Sequence, residues 1–361
     1  MQLRAERDSD GRDERVADAI AHWAPRFVAN GVDFNDFQRV TGKIATWEEW
    51  LPAWVENGRS HAERAREAEA AGRTVTAGEA WNHAALSYHF AKFVWMVDLE
   101  RYEEATRLAV DALRSAHRHL DPTAERVEIP FEHGKWLVGN LRRPAGGPAP
   151  LVLLLPGLDS AKEEFFAWEN VFLVRGLATF SLDGPGQGET GLSTCIYPNY
   201  ELAVKATIDA LSSRDDVDLG RIGAAGVSLG GYYAPRAAAY EKRLRAVVGI
   251  SGPFDFAANW DGMPGQTRET VLHHTGAGDD EDGRRKAGEL NLYEAAASIH
   301  QPFLAITGRQ DRLIPWEQTR RQADEAPRGE FVLYDEGNHV CNNIPYKYRP
   351  LTADWLKEKL G

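Results

Sequence analysis

A serine at position 228 lies in a setting typical of a catalytic nucleophile. It is the centre of a G-x-S-x-G segment, Gly226 to Gly230, which follows an apolar run and precedes a helical pattern. In such a turn between a strand and a helix, the flanking glycines leave room for strained backbone and expose the serine hydroxyl. Glycine and serine are also common in plain tight turns, so the assignment of Ser228 depends on its partners.

A serine hydroxyl becomes a good nucleophile when a histidine takes its proton and a carboxylate orients that histidine. Asp311 follows an apolar stretch that predicts a strand over 303–307, and His339 follows a second predicted strand over 331–334. The order Ser228, Asp311, His339 is the nucleophile, acid, histidine order of the α/β-hydrolase fold. All three residues follow predicted strands, at the ends where parallel sheets place their ligands. The sequence therefore predicts a catalytic triad.

Each partner also has a plainer interpretation. Asp311 alone would fit a helix cap, and His339 alone is one of eleven histidines and would fit a surface position. Asp335 and Glu336 are competing acids, but they lie on the loop of the histidine itself rather than on the preceding turn. We therefore favour Asp311 as the acid.

An acyl-transfer site also needs two hydrogen-bond donors for the developing oxyanion. The backbone N–H of Leu229, directly after the serine, is the expected first donor. The apolar strand predicted over 151–155 ends in Pro-Gly-Leu, which makes the N–H of Leu158 the favoured second donor, ahead of that of Gly157. The alternative is a glycine turn with no catalytic part.

Composition excludes several classes of function. The chain has 361 residues and a net charge of −12, and no basic stretch interleaves with aromatic residues, so we expect no nucleic-acid partner. Residues 1–15 are charged without an apolar segment, and no run of eighteen apolar residues occurs, so we expect a cytoplasmic protein with no membrane partner. Cys195 and Cys341, the two cysteines, favour neither a disulfide framework nor a metal site.

The length and the patterning predict two domains. Residues 1–123 show helical periodicity throughout, whereas residues 124–361 alternate strands and helices after an initial hairpin, which predicts an α/β class with a mostly parallel sheet flanked by helices. We predict helices over 18–30, 47–71, 76–97, 100–120, 200–212, 232–240 and 352–359, a hairpin over 126–143, and strands over 151–155, 177–182, 221–227, 246–250, 303–307 and 331–334.

The helical domain is interpreted as a cap over the pocket, a dimerisation surface, or both. Its aromatic-rich stretch, 81–95, favours the cap, although most of these rings would serve as core contacts. Within the second domain, 276–283 is rich in glycine and aspartate and predicts an exposed loop or a mobile lid. Phe165, Tyr232 and Trp260 are candidates for lining the substrate pocket, since they follow the oxyanion strand, the serine turn and the next strand.

Longer phrases of the sequence carry a family resemblance. The segments 157–164 (GLDSAKEE) and 183–189 (DGPGQGE), the shorter segments 169–170, 175–179 and 353–356, and the phrase 22–31 (HWAPRFVANG) are similar to those of the 2,6-dihydroxypseudooxynicotine hydrolase family of α/β-hydrolases. The likeness covers nearly the whole chain, including the helical domain, and is far more specific than G-x-S-x-G alone.

The resemblance implies an α/β-hydrolase with an N-terminal helical cap, usually dimeric, that cleaves a carbon-carbon bond beside a carbonyl without metal or cofactor. The family triad carries over onto Ser228, Asp311 and His339. A further carboxylate near the triad is implied for carbon-carbon cleavage, and Asp261 is the residue that this sequence offers for it. Related members resemble hydrolases of acyl side chains on aromatic polyketides, and others resemble esterases.

Three functions follow as hypotheses. The first is hydrolysis of a carbon-carbon bond in an aromatic or ketonic small molecule, such as a β-diketone or an acyl-aromatic compound. The second is hydrolysis of aryl or small esters, which needs the same apparatus and an easier leaving group. The third is a non-catalytic binding protein of the same fold. Dehalogenases and epoxide hydrolases that share the fold use an aspartate at the position of Ser228, so that serine argues against both.

Overall fold

The computed structural model describes residues 11–361, which form two compact units that divide between Pro122 and Thr123. The first unit is helical throughout its described part. Its helices are α1 (Glu14–Ala29), α2 (Phe34–Thr41), α3 (Trp50–Ala70), α4 (Thr74–Ala91) and α5 (Leu99–Leu120).

Aspartate side chains cap three of these helices. Asp13, Asp33 and Asp98 each accept a backbone N–H from the first turn of α1, α2 and α5 respectively. These bonds satisfy amides that a helix start leaves without an intrahelical acceptor. The short helix α2 is absent from the sequence-based prediction, and α4 ends six residues before the predicted end at Val97.

Aromatic rings form the core of the helical unit. Phe27 of α1 stacks on Phe90 of α4 with ring centroids 3.9 Å apart, and it meets Trp54 of α3 at 5.3 Å. The rings of Trp50 and Phe93 complete the cluster. Most of the aromatic stretch 81–95 is buried in this unit as core, and the cap and dimerisation roles of the unit stay predictions.

The second unit is built on one eight-stranded sheet with the order β1-β2-β4-β3-β5-β6-β7-β8. β1 and β2 form an antiparallel hairpin, β2 pairs antiparallel with β4, and all the remaining pairs are parallel. The strands are β1 (Glu125–Pro130), β2 (Trp136–Arg142), β3 (Ala149–Leu155), β4 (Ala178–Asp183), β5 (Val217–Val227), β6 (Leu244–Ile250), β7 (Phe303–Gly308) and β8 (Gly329–Tyr334).

Helices connect the parallel strands, and one further helix follows β8. They are α6 (Phe166–Leu173), α7 (Glu201–Leu211), α8 (Gly230–Tyr240), α9 (Gly265–Thr275), α10 (Asp280–Glu289), α11 (Trp316–Glu325) and α12 (Pro345–Leu360). This order of strands and crossovers confirms the α/β-hydrolase fold. No helix among residues 11–361 is both long enough and apolar enough to cross a membrane.

Both faces of the sheet are buried, as the uninterrupted apolar strands require. Along β3, Leu151, Leu153 and Leu155 pack in one cluster with residues of α7 and α8. Val152 and Leu154, which point to the opposite face, pack in a second cluster with residues of α6 and α12. Helices therefore cover the central strands on both sides. This packing holds the C-terminal ends of the strands in fixed positions.

Within the predicted loop 276–283, only residues 276–279 lie outside a helix. Gly276 ends α9 in a left-handed conformation with φ 62°, and α10 begins only four residues later, with Asp279 accepting the N–H of Asp282 as its cap. Gly283 lies inside α10, where an added Cβ would come 2.2 Å from a side-chain carbon of Leu272. The glycine permits close packing of α10 on α9, so residues 280–283 are helix rather than the predicted loop, and the mobile lid stays a prediction.

Candidate active site

Ser228 lies in a sharp turn between β5 and α8. Its φ is 56°, a left-handed value that non-glycine residues adopt rarely, and its N–H donates to the carbonyl of Ile250 at 2.8 Å. A Cβ on Gly226 would lie 1.9 Å from the carbonyl oxygen of Gly230, and a Cβ on Gly230 would lie 2.1 Å from that of Leu155. Backbone atoms packed against the serine turn leave no room for a Cβ at either position, so both residues must be glycine.

The structure brings Ser228, Asp311 and His339 together. His339 Nδ1 lies 2.8 Å from Asp311 Oδ2, and His339 Nε2 lies 2.9 Å from Ser228 Oγ. In the tautomer that the carboxylate favours, Nδ1 donates to Asp311 and Nε2 accepts the serine hydroxyl. The Asp311 side chain is fully buried and that of His339 is 11% exposed. This arrangement can take a proton from Ser228 and return it.

Asp311 is held by backbone as well as by the histidine. Its Oδ1 accepts the N–H groups of Leu313 and Ile314, both at 2.9 Å. The competing acids point elsewhere: Asp335 pairs with Arg309 at 2.6 Å, and Glu336 pairs with a lysine of α12. Asp311 is the carboxylate that meets the histidine.

The histidine loop is anchored to the ends of two neighbouring strands. Val340, directly after His339, has a φ of 60°, and its N–H donates to Ser251 Oγ at 3.0 Å. Ser251 follows β6, is fully buried and has a φ of 49°. Its hydroxyl also lies 3.3 Å from the hydroxyl of Thr307 in β7. The sequence reasoning missed Ser251, although its place just past an apolar strand marks the sheet edge where site residues gather.

Two of the backbone amides that have no acceptor among residues 11–361 are the expected oxyanion donors. They are the N–H groups of Leu229, at the start of α8, and of Leu158, in the loop after β3. The β3 loop approaches the nucleophile closely, because a Cβ on Gly157 would lie 3.0 Å from Ser228 Cβ and 3.4 Å from Oγ. Unpaired amides at a helix N-terminus and an adjoining loop can receive an oxyanion.

A buried charge cluster lies behind the β3 loop. Lys162 Nζ lies 2.6 Å from Glu163, 2.8 Å from Asp183 and 3.2 Å from Glu189, and the backbone N–H of Lys162 donates to Asp183 at 2.8 Å. Burial alone would lower the pKa of Lys162, but the three carboxylates outweigh it and hold that pKa raised. The cluster ties the segment after β3 to the segment after β4.

Three expected pocket residues are core residues instead. Phe165 is 2% exposed and packs edge-on against Trp168 at 5.3 Å. Tyr232 is fully buried and its hydroxyl donates to the carbonyl of Pro198. Trp260 is 1% exposed, with its indole N–H bound to a carboxylate of α10. Rings without exposed area have no surface to offer a ligand, so we correct this expectation for all three.

Asp261 is also placed differently from its expected position. Its side chain is 78% exposed and forms a two-bond ion pair with Arg284 of α10, at 3.1 and 3.2 Å. The aspartate follows the buried Trp260 on a short helical segment, which turns the next side chain outward. The carboxylate therefore serves the surface of α10 rather than the triad.

The thiol of Cys341 lies two residues from His339 but is fully buried. Burial, together with the charges of Asp311 and Glu336, raises its pKa to about 12. Such a thiol is neither a nucleophile nor a metal ligand at neutral pH. Among the described residues 11–361, no group of three or more histidine, cysteine, aspartate or glutamate side chains is arranged to hold a metal ion.

Comparisons with known proteins agree with this geometry. A family model described as FrsA-like esterase matches residues 37–259, and a prolyl oligopeptidase family model matches residues 203–361. The chain is 32% identical to a 2,6-dihydropseudooxynicotine hydrolase of Paenarthrobacter nicotinovorans over 348 residues, which cover 95% of this chain and 93% of that protein. It is also 32% identical to a 20-hydroxy-prefusarin hydrolase of Gibberella moniliformis, over 62% of this chain and 57% of that protein.

A solved structure gives the same result. The crystal structure of 2,6-dihydroxy-pseudo-oxynicotine hydrolase superposes with a TM-score of 0.86 and 30% identity, and covers 94% of this chain and 96% of that chain. The resemblance carried by the sequence phrases is thereby confirmed. The chain belongs to the FrsA-like esterase family of α/β-hydrolases, and it resembles the 2,6-dihydropseudooxynicotine hydrolase over nearly its whole length.

Proposed function

We propose that this protein is a serine-dependent hydrolase that cleaves the carbon-carbon bond beside a ketone in a small aromatic or β-dicarbonyl substrate. The observation that carries the proposal is the continuous hydrogen-bond chain from Asp311 through His339 to Ser228, beside the unpaired amides of Leu158 and Leu229. Its occurrence in a close relative of a 2,6-dihydropseudooxynicotine hydrolase supports the choice of a ketonic substrate.

In the first step, His339 Nε2 takes the proton of Ser228 as Oγ attacks the ketone carbon. The carbonyl oxygen becomes an oxyanion and receives the N–H groups of Leu158 and Leu229, which stabilise the tetrahedral intermediate. Asp311 stabilises the imidazolium that forms. Ser228 gains an acyl group when the intermediate collapses.

Collapse breaks the bond to the neighbouring carbon, which leaves with the bonding pair and receives the proton held by His339. A carbanion is a poor leaving group, so the substrate must stabilise it, as the second carbonyl of a β-diketone or a hydroxylated ring does. Water, activated by His339, then hydrolyses the acyl-enzyme to a carboxylic acid and regenerates Ser228. In the alternative role for Ser228, it assists His339 in activating a water that attacks the ketone directly.

Esterase activity is the second candidate, and the FrsA-like family match favours it. The same oxyanion donors and the same base would act on an ester, whose alkoxide or phenoxide leaves without help from a neighbouring group. An esterase turns over simple aryl esters rapidly and leaves acyl phenols and diketones intact. A non-catalytic binding protein of this fold is the third candidate, and the complete triad argues against it.

The test is a paired turnover assay on the wild-type protein and its Ser228→Ala variant. Both are offered p-nitrophenyl esters, β-diketones and acylated polyhydroxy aromatics, and the products are identified by mass. Ser228-dependent cleavage of a ketone supports the proposal, and ester cleavage alone replaces it with the esterase. Absence of turnover and of fluorophosphonate labelling at Ser228 leaves the binding protein.

We also infer a homodimer, in which the helical unit acts as a cap, a dimerisation surface, or both. The family resemblance supports this assembly. Light scattering on the purified protein tests it, since a dimer gives twice the mass of the chain. Composition supports a cytoplasmic location, which fractionation of the producing cell tests.

A further inference from the structure

Gln187 is a fully buried amide whose hydrogen-bonding groups are all used. Its Nε2 donates to the carbonyls of Pro156 and Gly157, at 2.7 and 2.8 Å. Its Oε1 accepts the hydroxyl of Tyr200 at 2.8 Å and the N–H of Gly184 at 3.1 Å. An amide donates two bonds and accepts two, so the orientation of this side chain is fully determined.

The two carbonyls that Gln187 binds belong to the peptide units of the β3 loop. The Gly157 carbonyl shares its peptide unit with the N–H of Leu158, and the Pro156 carbonyl shares its unit with the N–H of Gly157. Both peptides are trans, and a trans peptide is planar with its C=O and N–H pointing in opposite directions. Holding the carbonyls toward Gln187 therefore turns both amides away from it.

The loop that carries these two peptide units lies against the nucleophile. A Cβ built on Gly157 meets Ser228 Cβ and the carbonyl of Val227 within 3.2 Å, which places the loop directly against the serine turn. The amide of Leu158 has no acceptor among the described residues. The Gly157 carbonyl, which Gln187 binds, and the Leu158 N–H, which has no acceptor among the described residues, thus belong to one rigid peptide plane.

We propose that Gln187 is the positioning residue of the oxyanion hole, acting on the Leu158 amide through the Gly157–Leu158 peptide plane. The inference rests on the proposed function, because an oxyanion forms only if Ser228 attacks a carbonyl. Gln187 touches neither substrate nor Ser228; it keeps the donor aimed before the reaction begins, so that no reorganisation is needed in the transition state.

Tyr200 holds Gln187 in turn. Its ring stacks on Tyr233 with centroids 3.8 Å apart and planes 9° from parallel, and its hydroxyl donates to Gln187 Oε1. Without that hydroxyl, Gln187 Oε1 loses one of its two donors and keeps the N–H of Gly184. The Tyr200→Phe substitution therefore removes one hydrogen bond to Gln187 and leaves the stacked ring in place.

The experiment compares Gln187→Ala, Gln187→Glu and Tyr200→Phe with the wild type on a substrate whose turnover depends on Ser228. Removing an oxyanion donor typically lowers kcat ~10²–10³-fold, so misaiming one is expected to lower kcat about 10- to 100-fold for the Gln187 variants. Tyr200→Phe is expected to lower it about 3- to 10-fold, and KM is expected to stay within about threefold for all three.

Two further readouts separate positioning from general damage. The inhibition constant of an aryl boronic acid, whose tetrahedral adduct with Ser228 places an oxygen in the oxyanion hole, should rise by the same factor by which kcat/KM falls. The pH profile of kcat/KM should keep its wild-type midpoint, because the Asp311–His339 pair is untouched. Gln301→Ala is the matched control, since Gln301 is also buried and donates to the carbonyl of Ala238 at 2.8 Å, at the end of α8.

The proposal is overturned if the Gln187 variants and Tyr200→Phe keep kcat within about threefold of the wild type. It is also overturned if kcat falls while boronic acid affinity stays unchanged, or if Gln301→Ala reproduces the whole pattern. A Gln187 variant that fails to fold leaves the decision to Tyr200→Phe. Failure of the proposed function has a different signature, namely a wild-type protein without Ser228-dependent turnover, and it removes both.

Discussion

Asp311 has a separate task for each carboxylate oxygen. Oδ1 accepts two backbone N–H groups of its own loop, and Oδ2 accepts His339 Nδ1. The plain interpretation of this aspartate, as a residue that caps a turn, and the catalytic one are thus both satisfied by one side chain. The loop bonds keep Oδ2 in place before the histidine carries a charge.

Replacing Asp311 with asparagine should abolish most activity and keep the fold. The amide oxygen can still accept the loop N–H groups, whereas the amide nitrogen must donate to His339 Nδ1 and forces the proton onto Nε2, so the histidine can no longer accept from Ser228. We expect kcat to fall about 10³- to 10⁴-fold with little change in melting temperature. Asp335→Asn is the matched control, and a loss shared equally by both variants would contradict the assignment.

The two cysteines should differ sharply in reactivity. A pKa of about 12 leaves Cys341 almost wholly in the thiol form at pH 8, and its sulfur is buried. Cys195 is exposed. We expect a thiol reagent such as dithionitrobenzoate to label one site per native chain and two per unfolded chain. Native Cys195→Ser protein should give no signal, and rapid labelling of that variant would show that Cys341 is accessible.

At the scale of elements, the site is assembled by strand ends that support one another. β5 delivers Ser228, β7 delivers Asp311, and β8 leads to His339. β6 contributes no triad member, yet its last carbonyl accepts the Ser228 N–H, and the next residue, Ser251, accepts the N–H of Val340. The strand between the nucleophile and the acid therefore fixes both the serine turn and the histidine loop.

Removing the Ser251 hydroxyl should disturb the histidine loop. Ser251→Ala leaves the buried N–H of Val340 without an acceptor, which is expected to destabilise the protein by about 1–3 kcal/mol. We expect kcat to fall more than KM changes, because the displaced residue is the base. Thr207→Ala is the control, since its buried hydroxyl only donates to a carbonyl within α7. Urea midpoints and turnover that match between the two variants would refute the anchoring role.

Sequence patterns predicted the central strands and the triad, because apolar runs and motif spacing are local signals. Element ends were predicted less well. β5 begins at Val217, four residues before the predicted start, since pairing with Ala149 of β3 extends it. α12 begins at Pro345, seven residues before the predicted start at Thr352, and it contains Pro350, which lacks a backbone N–H for the helix. Both depend on contacts that spacing along the chain does not encode.

The candidate pocket could not be predicted in the same way. Phe165, Tyr232 and Trp260 were selected because they follow the right strands, but which side of a loop or helix faces a ligand is decided by tertiary packing. Tyr232 meets Pro198 and Trp260 meets α10, and both partners come from segments distant in the chain. Gln187 and Ser251 hold the backbone of the site and lie outside the G-x-S-x-G motif. Amide and hydroxyl side chains are common, so their chemistry alone does not distinguish these two residues in a sequence.

At the scale of the whole molecule, many carboxylates are stabilised by basic partners. Hydrogen bonds from Arg214 and Arg243 hold the pKa values of Glu125 and Glu241 below their usual range. Burial alone would raise the pKa of Glu189, but the charges and hydrogen bonds of Lys162 and Arg126 outweigh the effect of burial. The pKa of Glu189 is therefore lowered as well. Groups of this kind occur throughout the second unit, which ties its folding free energy to pH.

Stability should therefore be lost on the acid side. A carboxyl group with a lowered pKa in the folded protein stabilises it above the unfolded pKa of about 4.3, and this contribution disappears as the pH falls through the folded value. The raised pKa of Lys162 has the opposite sign, so its contribution is complete below about pH 10.4. We expect urea midpoints to be highest at about pH 7 to 8 and to fall steeply below about pH 4. Smaller losses are expected below about pH 6.5, because burial lowers the pKa of His83, and above about pH 8.5, because burial raises the pKa of Cys341. A level midpoint down to pH 3 would contradict this.

The order of the strands along the chain has a consequence for biosynthesis. Ser228 precedes His339 by 111 residues, and β8, which leads to that histidine, pairs only with β7 in the sheet. At ~5–20 residues per second, the ribosome needs on the order of 5–20 s to span that interval. During this time Ser228 has no histidine partner. On the proposed mechanism, a nascent chain without His339 lacks the base that Ser228 needs, so we expect its reactivity to begin only when the last strand has joined the sheet.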